Sequence, residues 1–119
     1  MNVQELADKS GFRVVSGLVS LNNRIEHIYT CDLLSLVMGR AREGDAWVTV
    51  LGNVNTVAVA VLADTACVVL AEGMLMDLEG LKKATEQDVA VLASELPVYE
   101  TAQRIRFLLE EATGPYTNN

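Results

Sequence analysis

Four polar turns hold the residues of this chain that could meet a ligand: Cys31-Asp32, Gly52-Asn53-Val54-Asn55, Glu72-Gly73 and Ser94-Glu95. Each closes a strand-like run, the place where open α/β sheets hold their ligands. Gly52 permits close backbone approach, and the amides at Asn55 and beyond offer donors to an anion or a polar group. Asp32, Thr49, Gly52, Asn53, Asn55, Glu72, Gly73 and Ser94 form the candidate ligand-binding set. Most of these residues also have ordinary structural uses. Asp32, Asn55 and Ser94 are good helix N-caps, and Gly52 and Gly73 are common turn glycines. Glu72 and Glu95 could meet as paired carboxylates. Nothing in the sequence sets them across a bond, and solvated turn acids need no such role.

The rest of the chain offers little chemistry. His27 is the only histidine; it falls inside a strand-like run, where a lone imidazole is expected to be packed or exposed rather than catalytic. No cluster of His, Cys and acids has metal-ligand spacing, so no metal is predicted. Neither the phosphate-cradling G-x-x-x-x-G-K-[ST] loop nor a G-x-S-x-G elbow occurs. The prediction is no catalytic residue and no cofactor. An anion site at the Gly52–Asn55 turn would need Arg24, Arg40 or Arg42 to fold over it.

The composition bounds the partners. At 119 residues, half of them apolar, the chain can bury a single core without staples. Sixteen acids against nine bases give a net charge of −7, which disfavours nucleic acid and anionic membrane surfaces as partners. Cys31 and Cys67 form no C-x-x-C pair and sit in apolar runs, as free buried thiols of a reducing cytoplasm do. The N-terminus lacks the basic start and apolar core of a secretory signal. The apolar run from Val57 to Ala63 is far too short to cross a bilayer. One domain is expected over 1–112, with a flexible tail over 113–119.

The elements that must position the turns follow from periodicity. Asn2 caps a short helix that stops at Gly11. Strands are expected over Phe12–Val15 and Ile25–Cys31, with a loop or weak strand over Leu18–Asn23 between them. Asp32 is expected to cap a helix to about Arg42, burying Leu33, Leu34, Val37, Met38 and Ala41. Ala46–Leu51 reads as a strand. Val57–Leu62 alternates like a strand, yet its alanine content and the surrounding pattern favour a helix capped by Asn55, with Val54, Val57, Ala58, Val61 and Leu62 inward. Ala66–Leu70 is a buried strand, and Asp77 caps a surface helix over Leu78–Gln87. Val89–Ala93 is a strand, and a last helix runs from Pro97 to about Ala112. Its stripe is Val98, Ala102, Ile105, Leu109 and Ala112, with Phe107 and Leu108 in excess. Trp47 and Met38 read as core, and Met74-Leu75-Met76 as an exposed apolar patch. The alternation predicts a three-layer α/β/α sandwich with a mainly parallel sheet.

Several runs resemble a known family. Asp32-Leu33-Leu34-Ser35 with Met38, Gly44-Asp45-Ala46-Trp47-Val48-Thr49, and Asn55-Thr56-Val57-Ala58-Val59-Ala60 are similar to small stand-alone DRTGG-domain proteins of anaerobic bacteria. So are Ala66-Cys67-Val68-Val69-Leu70, Gly73, Lys83-Ala84 and Val91-Leu92-Ala93-Ser94. The resemblance runs from about Asn2 to Leu109. The name-giving letters differ: the family's Gly-Asp-Arg reads Gly52-Asn53-Val54 here, and its Thr-Gly-Gly reads Ala71-Glu72-Gly73. DRTGG domains resemble the N-terminal domain of HPr kinase/phosphorylase and accompany phosphate acetyltransferases and CBS-containing pyrophosphatases. The resemblance implies the α/β/α fold and a non-catalytic regulatory or assembly module that binds a small metabolite or a partner enzyme, with the kinase domain not included. Together with the apolar excess on the last helix, it leads to an expected homodimer. The alternative is a small enzyme or enzyme subunit acting on a phosphorylated metabolite at the strand-end cleft.

Overall fold

The computed structural model describes residues 1–113. Its elements are α1 (Val3–Ser10), β1 (Arg13–Ser16), a 3-10 turn (Val19–Asn22), β2 (His27–Thr30), α2 (Leu34–Arg40), β3 (Asp45–Thr49), α3 (Val54–Ala63), β4 (Cys67–Leu70), α4 (Leu78–Glu86), β5 (Val91–Ala93) and α5 (Val98–Thr113). The tail expected from residue 113 lies outside the described residues except for Thr113, which ends α5.

The sheet has five strands in the order β1-β5-β4-β3-β2. β2, β3, β4 and β5 are parallel and follow one another across it, while β1 lies antiparallel on β5. Right-handed crossovers that always step the same way must put their helices on one face. Accordingly, α2, α3 and α4 pack Val37, Val57, Ala60 and Ala84 against Trp47, Val68, Leu70 and Val91. α1 and α5 cover the other face, where Leu6, Ile105 and Leu109 meet Val48, Cys67, Val69 and Leu92. The register Trp47–Val68–Val91 beside Val48–Val69–Leu92 sends alternate rows to opposite cores. The result is the expected three-layer sandwich with a mostly parallel sheet. β3, β4 and β5 are buried throughout, which is why they read as unbroken apolar runs.

Local signals fixed several helix ends. Asn2 and Glu5 form a reciprocal capping box, and Gly11 closes α1 in the left-handed region at φ 81°. Asp77 accepts from Gly80 N–H at 2.7 Å to cap α4. The Leu18–Asn23 stretch, expected as a loop or weak strand, holds a 3-10 turn over Val19–Asn22, because the Asp88 carboxylate gathers its donors: Leu18 N–H at 2.7 Å, Ser20 N–H at 3.1 Å and Ser20 Oγ at 2.9 Å.

Three helix faces differ from expectation. α3 is a helix, but Asn53 caps it, not Asn55, and it buries Thr56, Val57, Val59 and Ala60 while Leu62 is 72% exposed. The helix is apolar nearly all round, so its sequence carries no phase. Its position between α2 and α4 selects the small residues that allow close approach. α2 has no side-chain cap and buries Val37, with Leu33 and Met38 exposed. α5 buries Thr101, Ile105, Leu108 and Leu109; Val98 and Ala102 are half-buried, while Phe107 and Ala112 are exposed.

Candidate functional site

The carboxyl ends of β2 to β5 bring the predicted turns to one edge. Each turn there is satisfied by the chain itself. Asp32 does not cap α2. Its Oδ1 accepts from the hydroxyl of buried Thr49 at 2.7 Å and from Val50 N–H at 3.2 Å, tying the β2 exit to the β3 exit. Thr49 Oγ1 in turn accepts from Leu51 N–H at 3.3 Å. Asn53 Oδ1 accepts from the amides of Asn55 and Thr56 at 3.0 and 3.1 Å, so the donors expected to meet an anion are already engaged. Asn55 itself is exposed. Gly52 makes the close approach the sequence suggested, but to this chain's own backbone. A Cβ there would strike the carbonyl of Leu75 and lie 3.2 Å from Met76 Cα.

A parallel sheet leaves a crevice where neighbouring strands send their helices to opposite faces. Here that fork is between β4, which leads to α4, and β5, which leads to α5. It is stitched shut. Glu72 N–H donates to Leu96 O at 2.8 Å, and Gly73 N–H to Ser94 O at 3.0 Å. The Glu72 carboxylate accepts from Val98 N–H at 2.9 Å, capping α5 from another turn. Glu72 and Gly73 both adopt positive φ, 63° and 68°. Ser94 is no N-cap: its buried hydroxyl lies 2.8 Å from Thr101 Oγ1 and accepts from Leu96 N–H at 3.1 Å. Glu95 leans over Gly73, where a Cβ would be 3.0 Å from its Oε1.

Among the described residues, no arginine reaches the Gly52–Asn55 turn. Arg42 pairs with buried Asp45 at the opposite end of β3: its backbone N–H donates to Oδ2 at 2.9 Å, and its Nε stands 3.9 Å from Oδ1 as an ion pair. Arg24 pairs with Glu26 at 3.6 Å, and Arg40 ends α2 at that same far edge. His27 belongs there too, with Nδ1 3.2 Å from Asp45 Oδ1. Among the described residues, no three His, Cys or acidic side chains are grouped to hold a metal, and no helix is long and apolar enough to cross a membrane.

The strand-end edge is instead apolar and open. Leu75 is 71% exposed and Leu78 86%, with Met74 and Leu33 beside the same turns also exposed. Met76, expected in this patch, turns inward onto the α3–α4 core. Of the eight predicted residues, Ser94 lines a cavity of about 530 Å³, shared with Arg13, Glu95 and Arg104. No local signal pointed to that cavity, because Arg13 and Arg104 are brought to it only by the β1–β5 pairing and the course of α5.

The sequence matches no protein-family model and no curated protein. Its fold has solved counterparts. One is the crystal structure of the CBS and DRTGG domains of the regulatory region of Clostridium perfringens pyrophosphatase, complexed with the activator diadenosine tetraphosphate. It superposes with a TM-score of 0.72 at 9% identity, over 87% of this chain and 45% of the other. This chain therefore spans less than half of that protein fragment, and the likeness is one of fold.

Proposed function

We propose that this chain is a DRTGG-like regulatory or assembly module, similar to the N-terminal domain of HPr kinase/phosphorylase, which acts as a cytoplasmic homodimer and docks a partner enzyme on its strand-end edge. One observation carries the reading. The turns that could have held a metabolite are filled by their own hydrogen bonds, while Leu75 and Leu78 stand exposed above them. Large apolar side chains gathered over satisfied turns suit a protein surface better than a polar ligand. The fold shared with a pyrophosphatase regulatory region agrees with this role.

The alternative, an enzyme acting on a phosphorylated metabolite at this edge, would have to use a Gly52–Asn55 turn whose amides already bond to Asn53. The test is co-purification with partners from the native host, comparing the wild type with Leu75→Asp/Leu78→Asp. A partner enzyme retained by the wild type and lost by the variant, at unchanged melting temperature, supports docking here. Turnover of a phosphoester or acyl substrate that vanishes in Asn53→Ala would overturn the reading.

A further inference from the structure

We propose that a trough along the outer side of α5 binds a nucleotide, with its phosphates between Arg13 and Arg104 and its base on Phe107. Two cavities make the trough. The first, about 530 Å³, lies between the end of α1 and the exit of β5 and includes Arg13, Leu96 and Arg104. The second, about 390 Å³, continues along α5 past Leu96 and Arg104 to Gln103 and Phe107. Leu96 and Arg104 line both, so the two cavities adjoin. Each volume is on the scale of a small-molecule site.

The chemistry is graded along the trough. Arg13 and Arg104 both line the first cavity, and among the described residues neither has a carboxylate partner; the recorded ion pairs use Arg24, His27 and Arg42. In a chain of net charge −7, two guanidiniums left unpaired at one cavity suit an anion taken in bidentate fashion. Glu95 also lines the first cavity, with its carboxylate over Gly73, and Glu100 stands one turn before Arg104 along the second. At the other end, Phe107 is 59% exposed on a helix whose buried face is already formed by Ile105, Leu108 and Leu109. An exposed ring next to a charged cleft is a stacking platform for a planar base. Gln103 offers a donor and an acceptor to a base edge. Residues 100, 103, 104 and 107 share one helical face. Arg104 stands about 4.5 Å along the axis from Phe107 at about 1.5 Å per residue, and its long side chain together with Arg13 carries the anion end into the first cavity.

The trough starts at the β5 exit of the same edge but includes neither Leu75 nor Leu78, so its failure leaves the docking reading standing. The test is a titration of ¹⁵N-labelled protein with ADP and with inorganic pyrophosphate. ADP is expected to shift the amides of residues 11–13, 94–96 and 100–107. Arg104→Gln and Arg13→Gln should each weaken both ligands about tenfold. Phe107→Ala should weaken ADP severalfold and leave pyrophosphate unchanged. All three side chains are exposed, so each variant should melt as the wild type does. No shifts at millimolar ADP, shifts confined to another surface, or binding indifferent to both arginine changes would overturn the site. Pyrophosphate binding as tight as that of ADP, with Phe107→Ala without effect on either, would overturn the nucleotide.

Discussion

Gly52 has no side chain because the carbonyl of Leu75 occupies the place where one would begin. Gly52→Ala must push the 74–77 segment away, and Asp77 N–H, which donates to Gly52 O at 2.9 Å, moves with it. The expected cost is about 1–3 kcal/mol of stability, read by urea unfolding. Asn55→Ala on the same turn should change stability by less than about 0.5 kcal/mol, since Asn55 is exposed and its side chain caps nothing. Equal effects would show that the turn, not the backbone contact, sets the requirement. The two thiols make a second contrast. Cys67 lies wholly within the α1–α5 core, and burial pushes its thiol up to about 12. Cys31 is half-exposed at the β2 exit. A disulfide reagent at pH 8 is expected to modify Cys31 alone in the native protein, and both cysteines after denaturation; labelling of native Cys67 would refute the packing. Residue roles were legible where a partner lies three residues away, as at Asn2 and Asp77. They were not legible at Asp32 and Ser94. Those two have the composition of N-caps, but their partners Thr49 and Thr101 are supplied by the fold.

At the scale of elements, the 3-10 turn shows how one acid can shape a loop. Its donors converge on Asp88, which itself sits at φ 51° just after α4. The Leu18 amide and then the Ser20 hydroxyl and amide hold the Asp88 carboxyl below its ordinary value, against a smaller opposing effect of desolvation. A carboxyl that loses its proton more readily when folded stabilises the fold fully above the ordinary carboxylate range. That contribution fades as the pH falls through the ordinary range to the lowered folded value. Acidification should therefore lower the protection factors of the Leu18 and Ser20 amides, measured against their intrinsic exchange rates. Asp88→Asn keeps the left-handed turn accessible and an acceptor for Leu18 N–H but turns a donor toward Ser20 N–H, so the Ser20 amide should be unprotected at every pH. A wild-type turn that keeps its protection in acid would refute this account. Element type was readable even for the alternating Val57–Leu62 run, since the turn residues on either side fit a crossover helix. The inward face of α3 was not readable. A helix apolar on every side has no phase until its neighbours on the sheet supply one.

Across the whole molecule, the parallel order of β2 to β5 decides which strands are sheltered. The layered architecture was legible from the alternation of elements. The one-way strand order and the closed β4–β5 fork were not, because nothing local records which strands become neighbours. β3 and β4 have a strand on each side and a helical layer on each face. β2 has only β3 beside it. His27 N–H donates to Gly44 O and Cys31 N–H to Val48 O, so His27, Tyr29 and Cys31 face β3 and the alternate residues Ile28 and Thr30 face outward. Hydrogen exchange should then rank the sheet. Amides of Trp47, Val48, Val68 and Val69 should exchange only through global opening, while Ile28 and Thr30 exchange freely. That ranking also reads out the proposed homodimer. If Ile28 and Thr30 stay unprotected at concentrations where the protein is dimeric, the second copy sits on another surface and β2 is an open edge. Protection of both amides that appears with dimerisation would overturn the open edge. It would mean that two copies join their β2 strands into one continuous sheet, with their strand-end edges still available to a partner.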